Sequence, residues 1–457
     1  MSTPLRVVVV GAGPAGIYAS DILTRSGGDV AIDLIERLPA PFGLVRYGVA
    51  PDHPWIRQII VALHKVLDRG DIRLLAGVDY GTDVTLAELR QRYDAVVFAT
   101  GAVRDVALPI PGIDLDGSYG AADFVSWYDG HPDVPRTWPL NAREVAVLGA
   151  GNVALDVSRI LAKQAHDLLP TDIPANVYEA LAANPVTDVH VFARRGPAQV
   201  KFSPLELREL DHVPDADVVV YPEDFVFDAG SMAAVDSSNQ TRQVVTTLTD
   251  WTLKEPADRH ASRRIHLHFL HKPVAVLGDG GHVVGLRTER MTLTGDGTVT
   301  DSGQTTDWPV QAVYRAIGYF GSPLPGLPFD EAAGVIPNRG GRVTGPDGAP
   351  LPGVYTTGWI KRGPVGLIGH TKSDASETIA HLREDAPALP TAPDRDPRSL
   401  DMLLARRGVR VVDWAGWLRL DSYERALGQA HGRQRVKVVP REEMIHISLD
   451  AVGPVTT

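Results

Sequence analysis

The 457-residue chain contains no cysteine. That absence excludes a disulfide framework, a redox-active dithiol, a thiolate nucleophile and a cysteine-ligated iron–sulfur cluster. Any electron transfer must therefore use a bound cofactor. Long apolar runs are also missing, since no stretch approaches the roughly 20 residues that span a bilayer. The N-terminal run VVVV ends in a glycine turn, short of the about 7–15 residues of a signal-peptide core, and reads as a first strand. A cytoplasmic location without membrane association is expected. Nor is there an excess of positive charge: 45 Lys and Arg against 56 Asp and Glu leave −11, which argues against nucleic-acid binding through overall charge.

What is present is a long, ordinarily globular sequence, 44% apolar and 22% charged. Its length exceeds the roughly 250–300 residues at which a single core stops growing, so two or three domains are expected. Two βαβ beginnings divide it. The first, LRVVVVGAGPAGIYASDILTRSGGDVAIDLIER, runs strand 5–10, glycine turn, helix and strand 30–35. Its turn, Gly11-Ala12-Gly13-Pro14-Ala15-Gly16, has the GxGxxG spacing. Gly11 permits the tight turn, Gly13 lets backbone approach a pyrophosphate, and Gly16 lets the helix pack closely on the strand. The helix N-terminus offers free N–H groups and a positive dipole end to the phosphates. Glu36 closes the second strand, where an acid accepts hydrogen bonds from a ribose.

The second beginning, REVAVLGAGNVALDVSRILAKQ, repeats this logic with the GxGxxA turn Gly149-Ala-Gly151-Asn152-Val153-Ala154. Here the next strand, from Val189, ends on Arg194-Arg195 and carries no acid. A carboxylate would repel a 2′-phosphate, whereas arginine binds one through charge-assisted, often bidentate hydrogen bonds. The second site therefore reads as one for NADPH rather than NADH.

FAD is favoured for the first site by the turn Ala99-Thr100-Gly101 and the late segment 353–382. In that segment a helix beginning near Thr371 would aim its positive end at an anionic group, such as a reduced flavin. Residues 217–310 alternate strand-like runs (VVVY, QVVTTLT, RIHLHFL) with polar turns and suggest a β-rich part of the second lobe. A proline-rich linker at 386–397 precedes a mainly helical stretch, 398–430, read as a small C-terminal appendage.

PFGLVRYGVAPDHP (41–54), GAGNVALDVSRIL (149–161), RRGPAQVKFSPLELREL (194–210) and GWIKRGPVGLIG (358–369), in this order, resemble the adrenodoxin-reductase-like ferredoxin–NADP⁺ reductases, FprA-type bacterial branch. The resemblance covers nearly the whole chain. It implies an α/β fold of two Rossmann-like dinucleotide-binding domains, in a glutathione-reductase-like flavoprotein architecture, with FAD, NADPH and an iron–sulfur protein of the ferredoxin type as partner. The expected domains are 1–108 and 323–457 for FAD, the latter carrying the appendage from about 398, and 109–322 for NADP. It further implies FAD contacts at Ala12 to Gly16, Glu36, Leu44 and Val78, and flavin-ring contacts at Trp359 and at Gly366, Leu367 and Ile368. NADP contacts are implied at Gly151 to Val153, Arg194, Arg195 and Glu206, and also at Gly366. His53 and Glu209 match a pair associated with proton or charge handling near the flavin. Arg259, Arg263 and Arg264 match a basic docking region. The sequence departs from the family at Lys201, where a small residue is usual, and at His370.

The implied activity moves a hydride from NADPH to FAD and then single electrons to a ferredoxin. A disulfide reductase shares the two-nucleotide layout but needs cysteines. A flavin monooxygenase or NADPH oxidase, and a non-enzymatic NADPH-responsive binding module, remain as alternatives at this stage.

Overall fold

A computed structural model describes residues 4–365 and 368–450. The chain forms two compact units, one of residues 1–104, 129–133 and 319–457, the other of 105–128 and 134–318.

The first unit is built on a seven-stranded sheet. β1 (Leu5–Val10) lies between β2 (Val30–Glu36) and strand Ala95–Phe98, parallel to both, and Ile72–Ala76 extends the sheet beyond β2. On the other side Pro350–Thr356 pairs with Ala95–Phe98 in parallel, followed by a short antiparallel edge. β1 is Val-rich and buried on both faces, as a central parallel strand must be. α1 (Pro14–Arg25) crosses from β1 to β2 and buries Ile17, Ala19 and Leu23.

The second unit has a six-stranded sheet around β3 (Glu144–Leu148) and β4 (Asp188–Ala193), with α2 (Asn152–Ala162) between them in sequence. Arg263–Phe269 and Ala216–Val220 continue this sheet in parallel. Only His271–Asp279, His282–Leu293 and Val299–Trp308 form a separate antiparallel sheet. The expected β-rich region is thus divided, and one of its runs is not a strand. QVVTTLT lies inside the helix Asn239–Trp251. Its Val and Thr content favours a strand, but its apolar positions decide otherwise: Val244, Leu248 and Trp251 fall on one helical face and are buried. Ser238 accepts a hydrogen bond from Thr241 N and caps the helix start.

Three further helices matter below: α3 (Pro204–Glu209) in the second unit, and α4 (Ile368–Asp385) and α5 (Trp414–Gln429) in the first. The C-terminal segment is packed into the first unit's core. Trp417, Leu420 and Met444 are buried in the same cluster as Ile17, Leu34 and Phe42.

Inside the second unit, strands β4 and Arg263–Phe269 stack imidazoles. The His190 and His266 ring centroids are 4.4 Å apart, and His190 Nδ1 lies 3.0 Å from His268 Nε2. Burial, reinforced by the neighbouring His266, lowers His190 to about 3. Burial and then Arg290 lower His271 to about 4, and burial holds His268 well below the usual histidine range. These groups fold in the neutral form and accept protons more readily when unfolded. Stability is therefore full above the unfolded value near pH 6.5 and falls as the pH drops toward 4 and 3. Urea unfolding of this unit is expected to lose about 2 kcal/mol or more between pH 6.5 and pH 4; a flat profile across that window would contradict the assignment.

Candidate functional site

In the first unit the glycine turn is enclosed by its own chain except where a ligand must enter. Gly11 N donates to Ile35 O at 2.7 Å. A Cβ on Gly11 would stand 2.6 Å from Ala99 O, so the 99–101 turn rests directly on it. A Cβ on Gly16 would stand 1.9 Å from Gly11 O. Gly13 differs: the nearest atom to a Cβ there is Gly43 Cα at 3.9 Å. Gly13 also caps α1, and that helix start has no side-chain cap. An open glycine at a helix N-terminus without a side-chain cap fits a pyrophosphate.

Glu36 does more than its sequence position suggests. Its Oε2 accepts from Ala12 N at 2.8 Å and its Oε1 from Leu38 N at 3.0 Å. Burial pushes this carboxyl upward, and those two N–H donors act against the rise. Each oxygen keeps a second acceptor site for a ribose hydroxyl. Val78 is fully buried, and its N–H donates to Glu36 O at 2.9 Å. Leu44 heads the short helix Leu44–Tyr47 and is half-buried, as is Thr100 beside Gly101. From the far end of the chain, Gly358 reaches α1, its Cβ position 2.6 Å from Ala15 Cβ. Asp374 of α4 accepts from Gly358 N at 2.5 Å and from Thr357 Oγ1 at 3.0 Å, and pairs with Lys361 at 3.0 Å. That network orients Trp359, the first residue of the next helical turn.

The unit thus gathers Gly11 to Gly16, Glu36, Leu44, Val78, Thr100, Gly101 and Trp359 near the carboxyl ends of β1 and its neighbours. Gly366 and Leu367 lie outside the described residues, as does the side chain of Ile368. α4 begins at Ile368, three residues before the expected Thr371. His53 also belongs to this unit and is buried, with its N–H donating to Ala50 O.

The second unit repeats the pattern. A Cβ on Gly149 would stand 2.2 Å from Ala316 O, whereas one on Gly151 would meet nothing within 4 Å. Lys201 N donates to Ala150 O at 2.7 Å and Ser203 N to Asn152 Oδ1 at 2.8 Å, so residues 201–203 brace this turn from outside. Val153 is half-buried in the first turn of α2. Arg194 is exposed and Arg195 half-buried. Among the described residues neither guanidinium has an ion-pair partner, so both charges are available to an anion.

Glu206 and Glu209 lie on α3, Glu206 buried and Glu209 half-buried. Both face Arg159 of α2, whose Nη1 is 3.9 Å from a carboxylate oxygen of each, while its Nη2 pairs with Asp156 at 2.7 Å. Sequence reasoning missed Arg159, although a basic residue on the inward stripe of α2 was the available signal.

The arginines of the expected docking region are engaged within their own unit. Arg263 is 8% exposed and donates to the carbonyls of Leu161, Lys163 and Asn184, which ties off the end of α2. Arg264 makes a bidentate pair with Asp188 at 2.6 and 2.8 Å. Burial opposes ionisation of Asp188, yet hydrogen bonds from His266 and Arg264 hold it well below the usual carboxylate range. Arg259 is half-buried and donates to Lys254 O. Arg263 is thus committed inside the fold, whereas Arg264 is ion-paired but keeps its side chain 43% exposed.

Residues 5–199 match the profile of the pyridine nucleotide-disulphide oxidoreductases. The NADPH-ferredoxin reductase FprA of Mycobacterium leprae is 39% identical over 97% of this chain and 98% of its own. The chain belongs to the FprA and adrenodoxin-reductase family. The human mitochondrial NADPH:adrenodoxin oxidoreductase is 38% identical, over 97% of this chain and 91% of its own length. The solved structure of Mycobacterium tuberculosis FprA in complex with NADPH superposes with a TM-score of 0.90 at 38% identity, covering 98% of this chain and all of that one. Members of this family share the two-nucleotide fold of the disulphide oxidoreductases, but this chain has no cysteine with which to perform disulfide chemistry.

Proposed function

We propose that the protein is an NADPH-dependent ferredoxin reductase, with FAD on the first unit, NADPH on the second and a ferredoxin-type iron–sulfur protein as electron acceptor. The observation that carries this reading is the contrast between the two strand ends. Glu36 beside an open Gly13 suits a ribose and pyrophosphate, whereas unpaired Arg194 and Arg195 beyond an open Gly151 suit a 2′-phosphate. Bound FAD supplies the exchange between the two-electron chemistry of NADPH and the one-electron chemistry of an iron–sulfur centre. The protein's share is to bind and orient. Glu36 accepts the ribose hydroxyls, and the α1 N-terminus meets the pyrophosphate. Trp359, set by Asp374, contributes to the wall on the ring side. Asn152, Val153 and the first turn of α2 receive the second nucleotide, with Glu206 and Arg159 supporting that turn.

Hydride transfer needs no protein base, so His53 and Glu209 are assigned to proton and charge handling. His53→Ala is accordingly expected to lower kcat/KM by less than tenfold, short of the about 10²–10⁴ that removal of an obligatory general acid–base costs. Steady-state kinetics against pH check this.

The function itself is tested by rapid-mixing absorbance. NADPH should bleach a protein-bound flavin band much faster than NADH, and cytochrome c reduction should then depend on added ferredoxin. Flavin reduction followed only by oxygen consumption would favour an oxidase instead. No helix among the described residues is long and apolar enough to cross a membrane.

A further inference from the structure

Phe42 is a buried aromatic residue with φ of +84°. A bulky L-residue keeps that left-handed backbone only when its surroundings impose it. Its N–H donates to Ala12 O at 2.8 Å, and the Cβ position of Gly43 comes within 3.1 Å of Gly13 Cα. Phe42 and Gly43 therefore lie directly on the first glycine turn, Phe42 in a conformation it would not hold unaided, and the helical turn Leu44–Tyr47 follows them.

The opposing support comes from the C-terminal segment. Trp417 of α5 meets Phe42 edge-on, with ring centroids 5.7 Å apart, and the Arg46 guanidinium sits 5.1 Å from the Trp417 ring. Glu424, wholly buried, accepts two hydrogen bonds from Arg46 at 2.5 and 3.0 Å. It also accepts from Arg435 at 3.1 Å and from Val438 N at 3.0 Å. Lys437, 3% exposed, donates to the carbonyls of Arg46 and Asp129, both at 2.9 Å. Buried ion pairs contribute little net stability, because desolvation offsets much of their attraction. Their geometry is nevertheless restrictive. A bidentate guanidinium and a lysine on the same residue's carbonyl fix Arg46 in direction as well as position.

We propose that Glu424 is a positioning residue for the FAD site: through Arg46 it holds residues 42–49 against the glycine turn, and FAD affinity depends on that hold. The inference rests on the reading that the first unit binds FAD. It gives the C-terminal segment a role beyond filling the core, because a segment distant in sequence fixes the strained loop that closes over the pyrophosphate turn.

The test titrates FAD into flavin-stripped full-length protein, read by quenching of flavin fluorescence, alongside thermal unfolding and limited proteolysis. Glu424→Gln preserves shape and removes the charge, and Arg46→Lys preserves the charge and removes the fork. Each should raise the FAD dissociation constant by about tenfold or more and expose residues 42–57 to cleavage. Arg435→Gln, whose ion pairs are with Glu424 and Asp421 inside the C-terminal segment, should lower the thermal midpoint while leaving FAD affinity near wild type. Should Glu424→Gln fail to fold, Arg46→Lys carries the test. Wild-type affinity in the Arg46 and Glu424 variants overturns the proposal, as does a loss in all three that merely tracks stability. A wild-type protein that binds no FAD overturns the cofactor reading as well, which separates the two failures.

Discussion

Gly16→Ala is expected to give a protein that unfolds at much lower urea concentration and retains no FAD. The added Cβ would stand 1.9 Å from Gly11 O, 3.1 Å from Gly11 C and 3.3 Å from Val9 Cγ1. Two of these are backbone atoms of the turn after β1, so no rotamer change relieves the contact. α1 must move off the sheet, and with it the buried contacts of Ile17, Ala19 and Leu23. Overpacking of a core costs about 1–3 kcal/mol. A clash with backbone at the centre of the unit should reach at least the upper end of that range, against a total stability of about 5–15 kcal/mol. Gly13→Ala provides the contrast. Its Cβ meets only Gly43 Cα at 3.9 Å, and its φ of −75° suits any residue. The apoprotein should unfold as wild type does, while FAD affinity falls by about a hundredfold because the methyl group occupies the path of the pyrophosphate. Chemical denaturation and flavin titration of the two variants separate a glycine required by the fold from one required by the ligand. Equal loss of stability in both would refute the distinction.

The parts legible in the sequence were those written in local periodicity. β1, α1 and β2, and their counterparts around Gly149, follow from apolar strands entering glycine turns, and Glu36 and Arg194-Arg195 follow from their places at strand ends. Tertiary placement was not written there. The strand content of QVVTTLT concealed the spacing of Val244, Leu248 and Trp251 that makes it a helix. Arg263 and Arg264 read as a free basic run, yet Arg263 enters the parallel strand Arg263–Phe269 where three carbonyls collect its charge. Nothing in a single sequence distinguishes an arginine that meets solvent from one that ties off a helix. The second oxygen of Glu36 was hidden for a similar reason, because Leu38 and Ala12 converge on that carboxylate only after the chain has folded. The stretch from 398 read as an appendage because a proline-rich linker precedes a mainly helical run, although Trp417, Leu420 and Met444 are buried with the first unit's core.

Replacing Arg194 and Arg195 together by alanine is expected to lower kcat/KM for NADPH by about 30- to 1,000-fold while changing that for NADH by less than about threefold. The estimate follows from charge-assisted hydrogen bonds of about 1.5–3 kcal/mol each, combined with less than full additivity. The structure explains why the effect should fall on the nucleotide and not on the fold. Among the described residues neither guanidinium is spent on an ion pair, and surface substitutions away from such partners alter stability by only about 0.5 kcal/mol. Arg264→Ala is the matched control, since it removes an equally basic side chain from the same unit. Arg264 is engaged by Asp188, so its loss should lower the thermal midpoint and leave the NADPH-to-NADH ratio intact. The arginine pair should also show itself through salt. Attraction of a 2′-phosphate to Arg194 and Arg195 is screened over about 8–10 Å at physiological ionic strength, so KM for NADPH should rise with added salt in the wild type and much less in the double variant. A double variant that still prefers NADPH, with its salt dependence unchanged, would move the 2′-phosphate to other cations. Lys201, exposed and bonded through its N–H to the carbonyl of Ala150 in the same turn, would be the first to examine.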